Sequence, residues 1–244
     1  MYLAQFCFHG DLNDFFIPGQ VTSSFSTSFK GRQSVKHLFE ALGVPHPDVG
    51  VILVAGQPVD FSYIVQDGDQ VDVYPCASPD GILPWACSHP RFVLDNHLGK
   101  LAAYLRMVDF DTLYRNDYHD EELAQISSQE ERILLTRDIR LLMRRVIVYG
   151  YWIREKEPGQ QLVEVLQRYG LFGGIIPFKR CLHCNGLLQP VDKENIIHRL
   201  EPLTKIYYDE FRICPDCDQI YWKGSHYERM MAFIEKILRD HSGK

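Results

Sequence analysis

Two sets of residues in this 244-residue chain could do metal chemistry, and they call for different metals. The first is Cys181-Leu-His-Cys184 with Cys214-Pro-Asp-Cys217. Two Cys-x-x-Cys knuckles close a tetrahedral shell of four thiolates without strain, a ligand set suited to Zn²⁺. Four protein ligands leave no open position, so such an ion would be structural. A redox dithiol or an iron–sulfur centre would draw on the same residues. The neighbouring His183 and His226 are expected beside the shell or on the surface, outside the ligand set.

The second set is Asp95, Asp120 and Asp138. Carboxylates brought close together raise each other's pKa unless a cation lies between them, and hard divalent cations prefer oxygen. The expected occupant is Mg²⁺ or Mn²⁺, which can activate water and stabilise in-line displacement at a phosphodiester. A plainer reading stays open. Aspartates at strand ends and helix starts are often only caps, and Asp120, followed by Glu121 and Glu122, satisfies the capping rules without any ion.

The elements that must position these acids are legible as short apolar runs. Phe92-Val-Leu-Asp95 and Ile133-Leu-Leu-Thr-Arg-Asp138 each read as a buried strand ending in an aspartate. Between them lie a helix over Leu98–Met107, a strand over Phe110–Tyr114 and a helix opening at Asp120. This β-α-β-α-β order implies a parallel sheet, whose sites form outside the carboxyl ends of the strands. Ile139–Arg145 reads as a helix leading into a fourth strand, Val146–Tyr149. Gly159–Tyr169 reads as a core-facing helix closed by Gly170.

Ahead of this region the pattern is strand, strand, helix, strand, strand from Tyr2 to Pro75. Ser34 is positioned to cap a helix that Gly43 ends, Val51–Val54 is a buried strand, and Gln66–Pro75 runs from a turn into an alternating strand. Behind it, Lys205–Ile213 supplies enough residues for ribbon strands between the cysteine pairs. Tyr227–Arg239 reads as an amphipathic helix with Met231, Ile234 and Leu238 facing inward.

Several of these segments, taken in order, carry a family resemblance. Phe-Val-Leu-Asp95, Leu98-Gly-Lys-Leu-Ala, Phe110-Asp-Thr, Asp120-Glu-Glu-Leu, Leu134-Leu-Thr-Arg-Asp138, the cysteine pairs and Tyr221-Trp-Lys-Gly-Ser-His226 resemble the Mut-seven C-terminal RNase family, a branch of the PIN-like nucleases. The resemblance runs from about Arg91 to Ile234 and implies metal-dependent hydrolysis of RNA, with Asp95, Asp120 and Asp138 as metal ligands. PIN-like nucleases usually carry a fourth acid, and Asp117, Glu121 and Glu122 are the nearby candidates.

The N-terminal pattern resembles a β-grasp, in particular the ubiquitin-like domain fused ahead of such RNases, and through Asp67-Gly-Asp-Gln-Val-Asp-Val-Tyr-Pro75 it also resembles sulfur carriers. Carriers act through a free Gly-Gly end, whereas here the chain continues through Cys76-Ala-Ser-Pro-Asp-Gly81, so a docking role is the expectation. The expected fold class is thus α/β: a PIN-like parallel sheet with helices on both faces, an N-terminal β-grasp and a C-terminal zinc ribbon. The expected divisions are a β-grasp over 1–77, a linker over 78–89, a nuclease domain over 90–178 and a ribbon with terminal helix over 179–244. Cys7, Cys76 and Cys87 receive no role.

Composition bounds the partners. The net charge of −6 argues against a general nucleic-acid binder, but three Lys/Arg against nine Asp/Glu fall before Pro90, so the acidity belongs to the N-terminal region. Arg137, Arg140, Arg144 and Arg145 remain to meet a phosphate backbone or to form a solvated face. RNA is the expected partner, with tRNA or another structured RNA among the candidates, and a protein partner is expected at the ubiquitin-like domain. No apolar run reaches the ~20 residues of a membrane span and the start lacks a signal-peptide pattern, so a cytoplasmic, reducing setting is expected. The competing class is a non-catalytic RNA- or protein-binding adaptor that uses the ribbon and the ubiquitin-like domain.

Overall fold

In chain order the strands and helices are β1 (Tyr2–Phe8), β2 (Phe25–Phe29), α1 (Val35–Ala41), β3 (Val49–Val54), β4 (Gln57–Val59), β5 (Gln70–Pro75), β6 (Phe92–Leu94), α2 (Gly99–Met107), β7 (Thr112–Leu113) and α3 (Asp120–Gln129). They continue as β8 (Ile133–Thr136), α4 (Ile139–Leu142), β9 (Gly150–Trp152), α5 (Pro158–Arg168), β10 (Gln189–Val191), α6 (Lys193–Ile196), α7 (Pro202–Tyr207), β11 (Phe211–Ile213), β12 (Ile220–Trp222) and α8 (Ser225–His241). The structure is a computed structural model that describes residues 1–16, 24–76 and 90–241. The expected linker and Cys87 lie outside the described residues.

The N-terminal elements form a five-stranded sheet in the order β2-β1-β5-β3-β4. Its central pair β1–β5 is parallel and the other pairs are antiparallel, which is the β-grasp arrangement. Strand periodicity decides the faces: Ala4, Phe6 and Phe8 of β1 and Val71 and Val73 of β5 point into a core shared with Val35, Leu38 and Phe39 of α1. The Ser34 hydroxyl accepts from the His37 N–H at 3.2 Å, and Gly43 follows α1 with φ 103°, as the helix signals required.

The strands carrying the acids also pair in parallel, β6 with β7 and β8 with β9, and helices connect them. Here one expectation is corrected. Val146–Tyr149 is not a strand; Ile147 is buried while Val146 and Val148 are exposed, and the ladder begins one residue later with Gly150 opposite Leu134. The cause is close packing. A Cβ on Gly150 would lie 2.6 Å from Leu142 Cδ2 and 3.3 Å from the Leu134 carbonyl oxygen, so only glycine brings the backbone in at that point. Helix α4 also stops at Leu142, short of the expected Arg145.

Near the C-terminus, β10, β11 and β12 form an antiparallel sheet. The segment expected to supply ribbon strands is strand only from Phe211 on. Pro202 stands in the first turn of α7, where its missing N–H costs nothing, and Lys205–Tyr207 continue that helix. In α8, Ile234 is buried as expected, but the second buried position is Ile237 rather than Leu238.

The chain divides into two compact units, each assembled from two separate stretches. The first combines residues 1–76 with 119–152. Within it the buried His46 ring contacts Glu40 Oε1 at 2.7 Å through Nδ1, while its Nε2–H donates to the Ile147 carbonyl at 2.7 Å, and Phe15 packs on Trp152. The second unit combines residues 90–118 with 153–241. There α2 packs on α5, Tyr104 and Phe233 meet at 5.0 Å, and Arg106 reaches from α2 to the first cysteine knuckle. Among the described residues, no helix is long and apolar enough to cross a membrane.

Candidate metal centres

Both cysteine pairs are built on the same backbone device. Cys181 N–H donates to the Gly186 carbonyl and Asn185 N–H to the Cys181 carbonyl; Cys214 N–H donates to the Gln219 carbonyl and Asp218 N–H to the Cys214 carbonyl. Each knuckle turns on a left-handed residue directly after its second cysteine, Asn185 with φ 77° and Asp218 with φ 59°. Asn and Asp adopt this conformation more readily than other non-glycine residues. Gly186 keeps this turn uncrowded: a Cβ there would push the Asp216 carboxylate aside and lie 3.0 Å from Cys214 Sγ.

All four sulfurs lie within 4.8 Å of one another, with Cys181 and Cys214 fully buried and Cys184 and Cys217 half-buried. Two close contacts run between the knuckles, Cys181 to Cys217 at 3.6 Å and Cys184 to Cys214 at 3.3 Å. A tetrahedral ion with ~2.3 Å bonds to sulfur sets neighbouring sulfurs about 3.8 Å apart, so the arrangement is compatible with zinc. His183 and His226 are exposed and stand outside this ligand set, as expected.

The surroundings favour thiolate at Cys181. Burial pushes its thiol up, but the Tyr221 hydroxyl at 3.1 Å and the N–H groups of Cys184 and His183 outweigh it and hold it at about 7. Burial raises Cys184 and Cys217 in the metal-free shell. A metal must therefore displace protons from those two thiols as it binds. Tyr221 also accepts the Leu182 N–H at 3.1 Å, so one hydroxyl fixes both the sulfur and the knuckle backbone. Arg106 and Asn185 complete the frame. The Arg106 guanidinium donates to the carbonyls of Thr112, Leu182 and His183, and Asn185 accepts from Thr112 N–H while donating to Asp111. Sequence reasoning missed these supports; the only available signal was an arginine on the apolar face of α2.

The acids are held one by one. Asp95 directly follows β6 and is only 7 % exposed. The turn after it is fixed by Tyr114, whose hydroxyl donates to the Asn96 carbonyl and leaves no room for a Cβ on Gly99. Asp120 is the first residue of α3, exposed, with Arg144 Nη2 3.4 Å from its carboxylate. Asp138 follows β8 by one residue. Its N–H donates to the hydroxyl of the buried Thr136, and its carboxylate accepts the Arg140 N–H at 2.8 Å, capping α4. Asp95 thus belongs to one unit and Asp120 and Asp138 to the other. Of the candidates for a fourth acid, Asp117 forms a two-pronged pair with Arg115 and Glu121 lies 3.8 Å from Arg144.

Comparison with known families decides the relationship. The model of the Mut7-C RNAse domain matches residues 90–234, more than half of the chain. The chain belongs to the Mut7-C RNAse domain family. That match takes in Asp95, Asp120, Asp138 and all four clustered cysteines. Ahead of the Mut7-C region, residues 1–80 match the Mut7-C ubiquitin model. One solved structure to which the chain is similar is SAMP1 from Haloferax volcanii, at 16% identity and a TM-score of 0.26, covering 32% of this chain and 99% of that one. A comparison with curated proteins found no match.

Outside the Mut7-C region, one more group of donors was not anticipated. Cys7, His9 and Asp72 bring a sulfur, a ring nitrogen and a carboxylate oxygen within 4.8 Å of one another.

Proposed function

We propose that the chain is a metal-dependent ribonuclease that hydrolyses RNA phosphodiesters, with Asp95, Asp120 and Asp138 holding Mg²⁺ or Mn²⁺. What carries this reading is that the Mut7-C RNAse match spans all three acids, while each of them stands just beyond a strand or at the head of a helix. The donor set fits the ion: three carboxylates offer oxygens to a hard cation, and one of them, Asp95, is buried where a cation's charge interacts most strongly. When bound, the ion would activate a water and offset the charge that builds on the phosphate.

The remaining steps fall to side chains. Thr136 orients the Asp138 backbone, and Tyr114 fixes the turn that follows Asp95. Arg144, paired with Asp120 at the surface, supplies a guanidinium that could move to a phosphate oxygen as the acid takes up the ion. The Cys181, Cys184, Cys214 and Cys217 shell serves as a structural zinc centre.

RNA also has a candidate path over the C-terminal sheet. A cleft of about 1170 Å³ there is lined by Tyr208, Phe211, Trp222 and Tyr227 together with Arg212 and Lys223. Base stacking on aromatic rings is worth roughly 1–3 kcal/mol per base and is tolerant of sequence. The cations of this cleft are partly engaged, Lys223 with Glu210 at 2.6 Å and Arg212 with the Phe178 carbonyl, so stacking would contribute more than charge.

A second reading is an adaptor without catalysis. It is favoured by α7, whose Leu203, Ile206 and Tyr207 are all more than 65 % exposed. The test is incubation of the zinc-loaded full chain with short structured and unstructured RNAs, in Mn²⁺ and in buffer without it. Mn²⁺-dependent cleavage supports the nuclease. RNA binding with no cleavage of any substrate supports the adaptor.

A further inference from the structure

Strand periodicity puts Cys7 and His9 on the same face of the N-terminal sheet, opposite to the core face occupied by Phe6 and Phe8. Asp72 is the cross-strand Cα partner of Cys7 in the parallel β1–β5 ladder, at the centre of the sheet. His9 extends that ladder, its N–H donating to the Val73 carbonyl at 2.9 Å. Its ring lies flat on Tyr74, centroids 4.1 Å apart and planes 4° from parallel, and its Nε2 is aimed at Asp72 Oδ1 at 2.8 Å.

A half-exposed His–Asp pair by itself is an ordinary surface contact of little energetic weight. The thiol changes its chemistry. Three different donors are held by neighbouring backbones in the most constrained part of the sheet, all within 4.8 Å. A single ion with ~2.0–2.3 Å bonds to nitrogen, oxygen and sulfur would set them about 3.3–3.8 Å apart, within reach of side-chain adjustment. We propose that Cys7, His9 and Asp72 form a second metal site, a three-ligand site for a borderline divalent ion of the Zn²⁺ class with its fourth position open to water or an outside ligand. The mixed S, N, O set suits Zn²⁺ and its neighbours rather than Mg²⁺, so this site is distinct in kind from the carboxylate centre.

A reactive redox cysteine is the other use of such a thiol. Redox thiols sit in surroundings that lower their pKa, whereas burial and the neighbouring Asp72 carboxylate raise that of Cys7. In the metal-free protein the thiol is therefore protonated. An ion that binds must send that proton to solvent.

The experiment uses the full chain with its Cys181–Cys217 shell loaded with zinc, titrated with Co²⁺ and followed by absorbance and by elemental analysis. Wild type is expected to take up a second metal equivalent with a near-ultraviolet sulfur-to-cobalt band. Cys7→Ser should lose that band, Asp72→Asn and His9→Gln should weaken uptake roughly tenfold or more, and Cys76→Ser should behave as wild type. All four positions lie off the core, and circular dichroism checks that each variant folds. Failure of folded, zinc-loaded wild type to develop a sulfur-to-cobalt band would overturn the proposal. So would a sulfur-to-cobalt band that survives in folded Cys7→Ser, or one that is lost in folded Cys76→Ser; Co²⁺ taken up by the carboxylate centre gives no such band.

Discussion

Arg106 of α2 donates from Nη1 to the carbonyl oxygen of His183, 2.7 Å away in the middle of the first cysteine knuckle. The same nitrogen bonds the Leu182 carbonyl, and Nε bonds the Thr112 carbonyl in β7, all from a residue only 4 % exposed. The knuckle is therefore fastened to the elements that follow Asp95. Arg106→Met should cost about 3 kcal/mol, because three carbonyls lose a charged donor. Chelator-driven zinc release should also be faster. Arg106→Lys should recover little, since a point ammonium cannot reach all three oxygens. Denaturant melts and zinc-release kinetics check this; unchanged kinetics in Arg106→Met would mean that the knuckle stands alone.

Much of this was readable in the chain. The Ser34 cap, the buried runs at β6 and β8, the start of α3 at Asp120 and the four cysteines all follow from local rules, because a cap, a run or a spacing carries its cause within a few residues. What failed depends on distant partners. Val146–Tyr149 alternates like a strand, yet the ladder starts at Gly150, because close packing against Leu134 and Leu142 admits only glycine there. Lys205–Tyr207 became helix through Pro202. Cys7, His9 and Asp72 were invisible as a group because 62 or more residues separate Asp72 from the other two and only the β1–β5 register joins them.

His46 links the β-grasp to the stretch that carries Asp120 and Asp138. Its Nε2–H donates to the Ile147 carbonyl across 101 residues of sequence, in a setting where the ring is 6 % exposed. His46→Ala should leave that buried carbonyl without its donor and lower stability by about 2 kcal/mol. Hydrogen exchange should show the loss in residues 133–152 as well as around α1. A loss confined to α1 would contradict the link.

Removing metal from the four-cysteine shell should cost more. Zinc binding to comparable thiolate peptides is worth roughly 10–16 kcal/mol, similar to or above the net stability of a domain. Cys214→Ser should reduce zinc by one equivalent and unfold the β10–β12 sheet, seen as loss of protection from exchange at Phe211–Ile213. Retention of zinc and sheet together in that variant would remove Cys214 from the ligand set.

Asp138 has two candidate roles that substitution separates. As the cap of α4 its carboxylate accepts the Arg140 N–H, a bond that asparagine can still make. Asp138→Asn should therefore melt within about 0.5 kcal/mol of wild type, and Asp138→Ala about 1 kcal/mol lower. As a metal ligand, both should lose Mn²⁺ affinity alike, since each lacks the charge. Full Mn²⁺ binding in Asp138→Asn would leave the residue as a cap alone.

The proposed carboxylate centre depends most on the buried Asp95, which would help to hold the ion at which RNA is cleaved. The most direct measurement is Mn²⁺ binding and RNA cleavage in zinc-loaded Asp95→Asn beside wild type, with a melt of each. The variant is expected to fold, to bind Mn²⁺ at least roughly tenfold more weakly and to lose cleavage. Undiminished, Mn²⁺-dependent cleavage by a folded Asp95→Asn protein would contradict the proposed centre.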